Sequence, residues 1–219
     1  MARLLFEKKG NAVWISHLDL MRLFQRAFKR AGLALKHTQG FNPRPSVSIA
    51  LPLSVGVESC CELLDFEIEG ELPSMNEIRS RLNDALVSGV RVLEVSHGGR
   101  KLKDLSLLSC DVYLEYDKGV GENDVLKIQQ LFAADALPVA KKSKNGPVEQ
   151  DIIPMMKRTN IHLLDQNTIC VNALICCQNP SMNPMQIVGA ISRYLPELAP
   201  DHSRCARLEI YDAEEKIFR

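Results

Sequence analysis

A mixed α+β fold made of two similar halves is what this sequence predicts, and three observations carry that expectation. Short runs of alternating apolar and polar residues mark half-exposed strands. Helix-period runs open on capping residues, and the same order of elements returns after a charged, glycine-containing break near residue 100.

Residues 2–8 alternate enough for a strand, with Leu4 and Phe6 on one side. Ser16 and Asp19 form a capping box in its aspartate form, which starts a helix over 16–31. Leu20, Phe24, Ala27, Phe28 and Ala31 make its apolar stripe, and Gly32 stops it. Val47, Ile49 and Leu51 begin a second strand, and residues 62–69 alternate so regularly that a half-exposed antiparallel strand is predicted. Ser74 and Glu77 cap a second helix ended by Gly89, and residues 90–95 close the set. Strand, helix, strand, strand, helix, strand is the order of a ferredoxin-like unit. Residues 98–107 read as a linker between a domain over 1–97 and another over 108–219.

In the second half, 108–116 is a strand, 124–133 a helix, and 137–140 a short strand entering the basic loop 141–146. Strands follow at 160–164 and 168–177. Asn183 caps a last helix with Pro184 at its first position and Gln186 as capping partner, and 204–211 ends as a strand. The predicted architecture is therefore two ferredoxin-like βαββαβ halves with antiparallel sheets, the second with an extra hairpin or a long basic loop.

Polar chemistry concentrates where packing does not ask for it, from Ser16 to Ser46. Arg22, Gln25, Arg26, Lys29 and Arg30 fill the helix arc opposite the apolar stripe, and guanidinium forks match phosphate or carboxylate. His17 sits at the first helical position, where Asp19 could orient its ring for general acid/base work. Pro43 and Pro45 stiffen the following loop, so Asn42, Arg44 and Ser46 are offered from a rigid run. Lys141, Lys142 and Lys144 form a second basic cluster.

Residues 1–50 carry nine Lys and Arg against two acidic residues, whereas 51–99 carry three against nine, although the whole chain is neutral. Such asymmetry points to an anionic partner or to attraction between the two segments. With 46% hydrophobic residues, 219 residues can build one large or two small cores. No apolar run approaches the roughly 20 residues of a membrane helix. No signal-peptide pattern opens the chain, so a cytoplasmic protein without membrane contact is expected. Seven cysteines lie mostly in strand-like segments without knuckle spacing; they read as reduced, buried thiols, and neither metal nor cofactor is expected. An aromatic content of 5% leaves few rings for stacking on bases.

The runs Ser16-His17-Leu18-Asp19-Leu20-Met21-Arg22, Arg26-Ala27-Phe28-Lys29-Arg30-Ala31, Gly40-Phe41-Asn42-Pro43-Arg44-Pro45 and Ala50-Leu51-Pro52-Leu53-Ser54-Val55-Gly56-Val57-Glu58-Ser59 resemble the signature of the radical SAM-linked protein family. That family is an uncharacterised bacterial domain encoded beside, or fused to the carboxyl end of, a radical SAM protein. The match is close through residue 70 and thinner afterwards. Lys141-Lys142-Ser143-Lys144 and Asp151-Ile152-Ile153-Pro154 resemble a second family stretch, with Ile153 standing where arginine is expected. The resemblance implies a radical SAM partner that carries the iron–sulfur cluster.

Three functions fit these residues. The first is a non-catalytic accessory module presenting a substrate, RNA or a ribosomal component, to the radical SAM partner through His17, Arg22, Arg26, Asn42, Arg44, Ser46 and the Lys141 cluster. The second is a metal-independent endoribonuclease with His17 as general acid/base and Asp19 orienting it. The third is a purely structural interaction subunit.

Overall fold

The computed structural model describes residues 1–143 and 146–219. The chain divides into two units, residues 1–102 and 103–218. Among the described residues it is a mixed α+β protein with four α-helices and antiparallel sheet in each unit.

The first unit runs β1 (Ala2–Lys8), α1 (His17–Arg30), β2 (Val47–Ile49), β3 (Val57–Phe66), α2 (Met75–Ala85) and β4 (Val90–His97). Its strands lie in the order β4-β1-β3-β2, every neighbour antiparallel. Leu4 faces Leu64 on one side and Val95 on the other, so their side chains share one sheet face. That face carries Ala2, Leu4, Phe6, Leu64, Phe66 and Val92, and it packs with Phe24, Ala27 and Phe28 of α1 and Ile78 and Leu82 of α2. Phe6 meets Phe24 edge-on at 4.7 Å between ring centroids, and Phe28 meets Phe66 at 4.9 Å. On the opposite face Arg3 and Asp65, directly opposed in register, form an inaccessible two-pronged ion pair.

Two features differ from expectation. β3 starts at Val57, five residues earlier than its alternation suggested, and it is not the half-exposed strand expected: Cys61 to Phe66 are all buried, Glu62 and Asp65 among them, so both faces are covered. A short 3₁₀ turn over Gly10–Trp14 was not foreseen. It rests against Gly89, whose φ of +87° and lack of a Cβ let Lys9 N–H bond its carbonyl at 2.8 Å; a methyl there would collide with the Lys9 carbonyl oxygen.

The second unit runs β5 (Leu107–Glu115), α3 (Glu122–Phe132), β6 (Pro138–Ser143), β7 (Gly146–Asp151), β8 (Met156–Asp165), β9 (Thr168–Cys176), α4 (Met185–Tyr194) and β10 (His202–Tyr211). Its sheet order is β10-β5-β9-β8, again antiparallel throughout. With β6 and β7 set aside, the strand order repeats that of the first unit. β6 and β7 are a separate two-stranded hairpin held on α4, where Arg193 pairs with Glu149 at 2.8 Å and the Tyr194 hydroxyl donates to the Pro138 carbonyl at 2.9 Å. Residues 141–143, expected in a loop, therefore continue a strand. α4 opens as its residues suggest: the Asn183 side chain accepts from Met185 N–H, and Gln186 accepts from Asn183 N–H, both at 3.0 Å.

The Tyr116 hydroxyl donates to the Leu198 carbonyl at 3.1 Å inside this unit, and burial, with Asp124 and Asp201 nearby, pushes its pKa up to about 12. The folded state thus favours the protonated phenol. Its contribution is complete below the unfolded value near 10 and is lost as pH climbs through about 12. The urea midpoint is expected to fall across that window, by the equivalent of at most about 2–3 kcal/mol. Tyr116→Phe should flatten the fall; an unchanged profile would remove Tyr116 as its cause.

Candidate functional site

α1 begins as its sequence requires. Ser16 Oγ accepts from Asp19 N–H at 3.2 Å. The Asp19 carboxylate does not reach back to the backbone; it accepts from the Ser16 hydroxyl at 2.7 Å and from Arg22 Nη1 at 2.9 Å. Those bonds, the hydroxyl first and the guanidinium second, hold the Asp19 carboxyl below the usual carboxylate range. Both oxygens are thereby engaged. His17 Nδ1 is buried without a hydrogen-bond partner among the described residues. The structure does not join His17 to Asp19, so the orienting pair is not formed.

The double-proline segment is a short arm rather than an open loop. Lys36 N–H donates to the Glu67 carbonyl at 2.9 Å and Glu69 N–H to Ala34 at 2.8 Å, which fastens one side of the arm beside β3. The arm then closes on itself: Thr38 N–H bonds Arg44 O at 2.8 Å, Arg44 N–H bonds Thr38 Oγ1 at 3.0 Å, and Ser46 N–H bonds Lys36 O at 2.7 Å. Pro43 and Pro45 cost nothing here, since the donors they lack are not needed by these pairings. Gly40, at φ +137°, turns the tip, leaving Phe41 fully in solvent and Asn42 exposed.

Between the arm and the second half of α1 lies a groove of about 630 Å³. Phe28, Leu33, Leu35 and Pro45 give it apolar walls, and Arg26, Lys29, His37 and Glu69 rim it. Volume and lining fall in the range of small-molecule and polymer-anchoring sites. The cations around it differ in one respect from their neighbours. Arg22 is spent on Asp19, Arg30 donates to the Ala85 carbonyl at 2.6 Å, and Lys36 pairs with Glu67 at 3.6 Å. The side chains of Arg26, Lys29, His37 and Arg44 make no hydrogen bond or ion pair among the described residues.

The structure thus gathers part of the expected set. Arg26 lines the groove and Arg44 adjoins it through Pro45. Ser46 is half-buried with its backbone committed to the arm, and Asn42 stands at the tip. Arg22 is one turn short of the groove, and His17 is nine residues from Arg26, about 13 Å along the axis and half a revolution around it. Lys141 belongs to the second unit, where its ammonium donates to the Ser181 carbonyl at 2.9 Å and ties down the hairpin. Lys142 is placed on β6, and Lys144 lies outside the described residues. Sequence reasoning placed Lys29 on the basic arc of the helix but missed His37 and Glu69; the alternation of Leu33, Leu35 and His37 after Gly32 was the available sign that an extended segment follows the helix. Among the described residues no group of three or more His, Cys, Asp or Glu stands close enough to hold a metal ion. Among the described residues no helix is long and apolar enough to cross a membrane.

Fold and groove together define a two-unit α+β protein with a cation-rimmed groove on its first unit. The chain belongs to the family described as "Uncharacterized protein conserved in bacteria (DUF2344)", whose model matches residues 2–184. No curated protein matches the sequence. Among solved structures, a chain in the crystal structure of a Cbf5-Nop10-Gar1 complex aligns at a TM-score of 0.50 and 9% identity over 95% of this chain and 48% of its own. The likeness is one of fold, and this chain spans about half the length of that neighbour. An unknown protein from Galdieria sulphuraria aligns at a TM-score of 0.26 and 12% identity, over 94% of this chain and 96% of its own.

Proposed function

We propose that the protein is a non-catalytic accessory module that holds an RNA substrate by its phosphates for a radical SAM partner in the cytoplasm. One observation carries the binding half of this reading: Arg26 and Lys29 line an amphipathic groove and Arg44 adjoins it, none of them in a hydrogen bond or ion pair among the described residues, whereas Arg22 and Lys36 pair with carboxylates and Arg30 bonds the Ala85 carbonyl. Ligand-free cations held near one another cost electrostatic energy, which an anionic ligand returns. The partner half rests on the family resemblance of the runs between residues 16 and 59. The recurring strand order of the two units supports reading them as ferredoxin-like halves, the second interrupted by the β6–β7 hairpin.

Fluorescence anisotropy with a labelled single-stranded RNA tests the binding half. Arg26→Ala and Arg44→Ala are each expected to weaken binding about ten-fold, and each lost phosphate contact to reduce the salt slope by about 0.7. His17→Ala should leave affinity within about two-fold, because His17 lies away from the groove. Unchanged affinity in both arginine variants would overturn the reading. Co-purification of the radical SAM partner without RNA affinity would leave the structural-subunit reading in its place.

A further inference from the structure

A sheet edge that is left uncovered is a template for another strand. The first unit covers the edge at β4: Asn83 of α2 bonds both main-chain groups of Val92, at 2.8 and 3.0 Å, and Arg79 donates to the carbonyl of the bulged Leu93 at 3.4 Å. The second unit leaves β8 almost bare. This strand of ten residues ends the sheet, and Lys157 to Asn160, Leu164 and Asp165 are exposed along it. Gln129 of α3 donates to the Ile161 carbonyl at 3.0 Å. Among the described residues no other hydrogen bond reaches the outward main-chain groups at Thr159, Ile161 and Leu163.

The Gln129 bond also fixes which groups point outward. In an antiparallel ladder a residue whose carbonyl turns away from its neighbour turns its N–H away too, so Ile161 offers both. The unbroken register from Arg158 to Leu163 does the same for Thr159 and Leu163, which lie symmetrically about Ile161. The charges follow that symmetry, with Lys157 before the centre and Asp165 equally far after it. Lys157 Nζ donates to the Pro154 carbonyl at 3.2 Å and Asp165 Oδ1 accepts from Asn167 N–H at 2.8 Å, so an ammonium with further donors and a second carboxylate oxygen remain. Leu164 is exposed on the edge itself, and Leu126 is exposed on α3 one turn before Gln129, on the side of the helix toward β8.

We propose that β8 joins two copies of this chain, antiparallel and two-fold symmetric about Ile161. Thr159 of one copy then pairs with Leu163 of the other, Ile161 pairs with its own counterpart, and Lys157 meets Asp165 at both ends. Symmetry selects this occupant: a two-fold contact uses the same surface twice, so a strand pairs with itself only where its two ends complement each other. A parallel alignment would set Lys157 on Lys157 and Asp165 on Asp165, which is repulsive. Arg158 stands opposite Leu164 in the antiparallel register and keeps its own ion pair with Glu215 at 2.7 Å. Gln129 is an exposed side chain, and its one neutral bond to Ile161 gives way to a ladder of several.

Sedimentation velocity of the full chain between about 1 and 100 μM tests the inference, and a dimer is expected within that range. Thr159→Pro removes an outward donor without touching the ladder to β9, and it should weaken dimerisation about ten-fold or more. Lys157→Glu and Asp165→Lys should each weaken it about ten-fold, because each sets like charges together at both ends. An equimolar mixture of these two variants should dimerise again, since the mixed pair faces opposite charges at both ends. Amide hydrogen exchange needs no variant, and exchange in β8 should slow as the concentration rises. A monomer throughout, concentration-independent exchange in β8, or a dimer unmoved by all three substitutions would overturn the proposal, as would a mixture no more dimeric than its components in variants that melt like the parent. A monomer that loses a co-purifying protein on Thr159→Pro would give the edge to an extended segment of that protein and overturn self-pairing too. Arg26→Ala and Arg44→Ala should leave dimerisation unchanged, so this edge and the groove fail separately.

Discussion

Asp65→Ala is expected to lower stability by about 3–5 kcal/mol, although the substitution removes only a carboxylate. Arg3 Nε meets Asp65 Oδ1 at 2.6 Å and Nη2 meets Oδ2 at 3.0 Å, with both residues inaccessible at 1% and 7% exposure. The Arg3 guanidinium also donates to the Arg100 carbonyl at 2.9 Å, so it stays in place when its counter-charge is removed. A buried cation without its carboxylate carries the desolvation penalty that the pair had offset. Urea unfolding followed by fluorescence of Trp14, which lies in the same unit, reads the loss. Replacing both partners together, Arg3→Met with Asp65→Leu, should recover most of it, since the cost lies in separating the charges rather than in lacking them. A loss below about 1 kcal/mol for Asp65→Ala would show that the pair is solvated in solution.

Phe24→Ala is expected to cost a similar amount, about 3–5 kcal/mol, by a different route. The ring is fully inaccessible and sits between α1 and β1, with its edge on Phe6. Truncation opens a cavity that a helix anchored also by Phe28 on Phe66 cannot collapse to fill. Because Phe24 is two residues from Arg26 on the same helix, binding measured well below the melting temperature should survive. A variant that loses affinity and stability together would mean that the groove depends on that packing more than the geometry indicates.

Much of the fold was legible in local pattern. The stripe Leu20, Phe24, Ala27 and Phe28 announced α1, and Ser16, Ser74 and Asn183 marked helix starts where the structure has them. β3 was partly hidden because Ser59, Glu62 and Asp65 are all buried, and alternation of polarity cannot report a strand covered on both faces. The site was legible in kind but not in membership. Arg26 and Arg44 stood out by charge and by stiff context, whereas His37 and Glu69 needed the arm's pairing to bring them to α1. His17 and Asp19 looked joined because they are two residues apart; the helix start gives Asp19 to Ser16 and Arg22 instead. The outward groups of β8 required register, which no single strand carries.

The free cations of the groove belong to a molecule whose charges sum to zero. Such a molecule has no long-range monopole, so its pull on an anion fades within a screening length of about 8 Å at physiological ionic strength. Capture must then begin by near-contact collision, without the electrostatic acceleration that strongly basic proteins enjoy. What is given up in speed of encounter protects against adsorption onto bulk polyanions, leaving discrimination to the few side chains that touch the ligand.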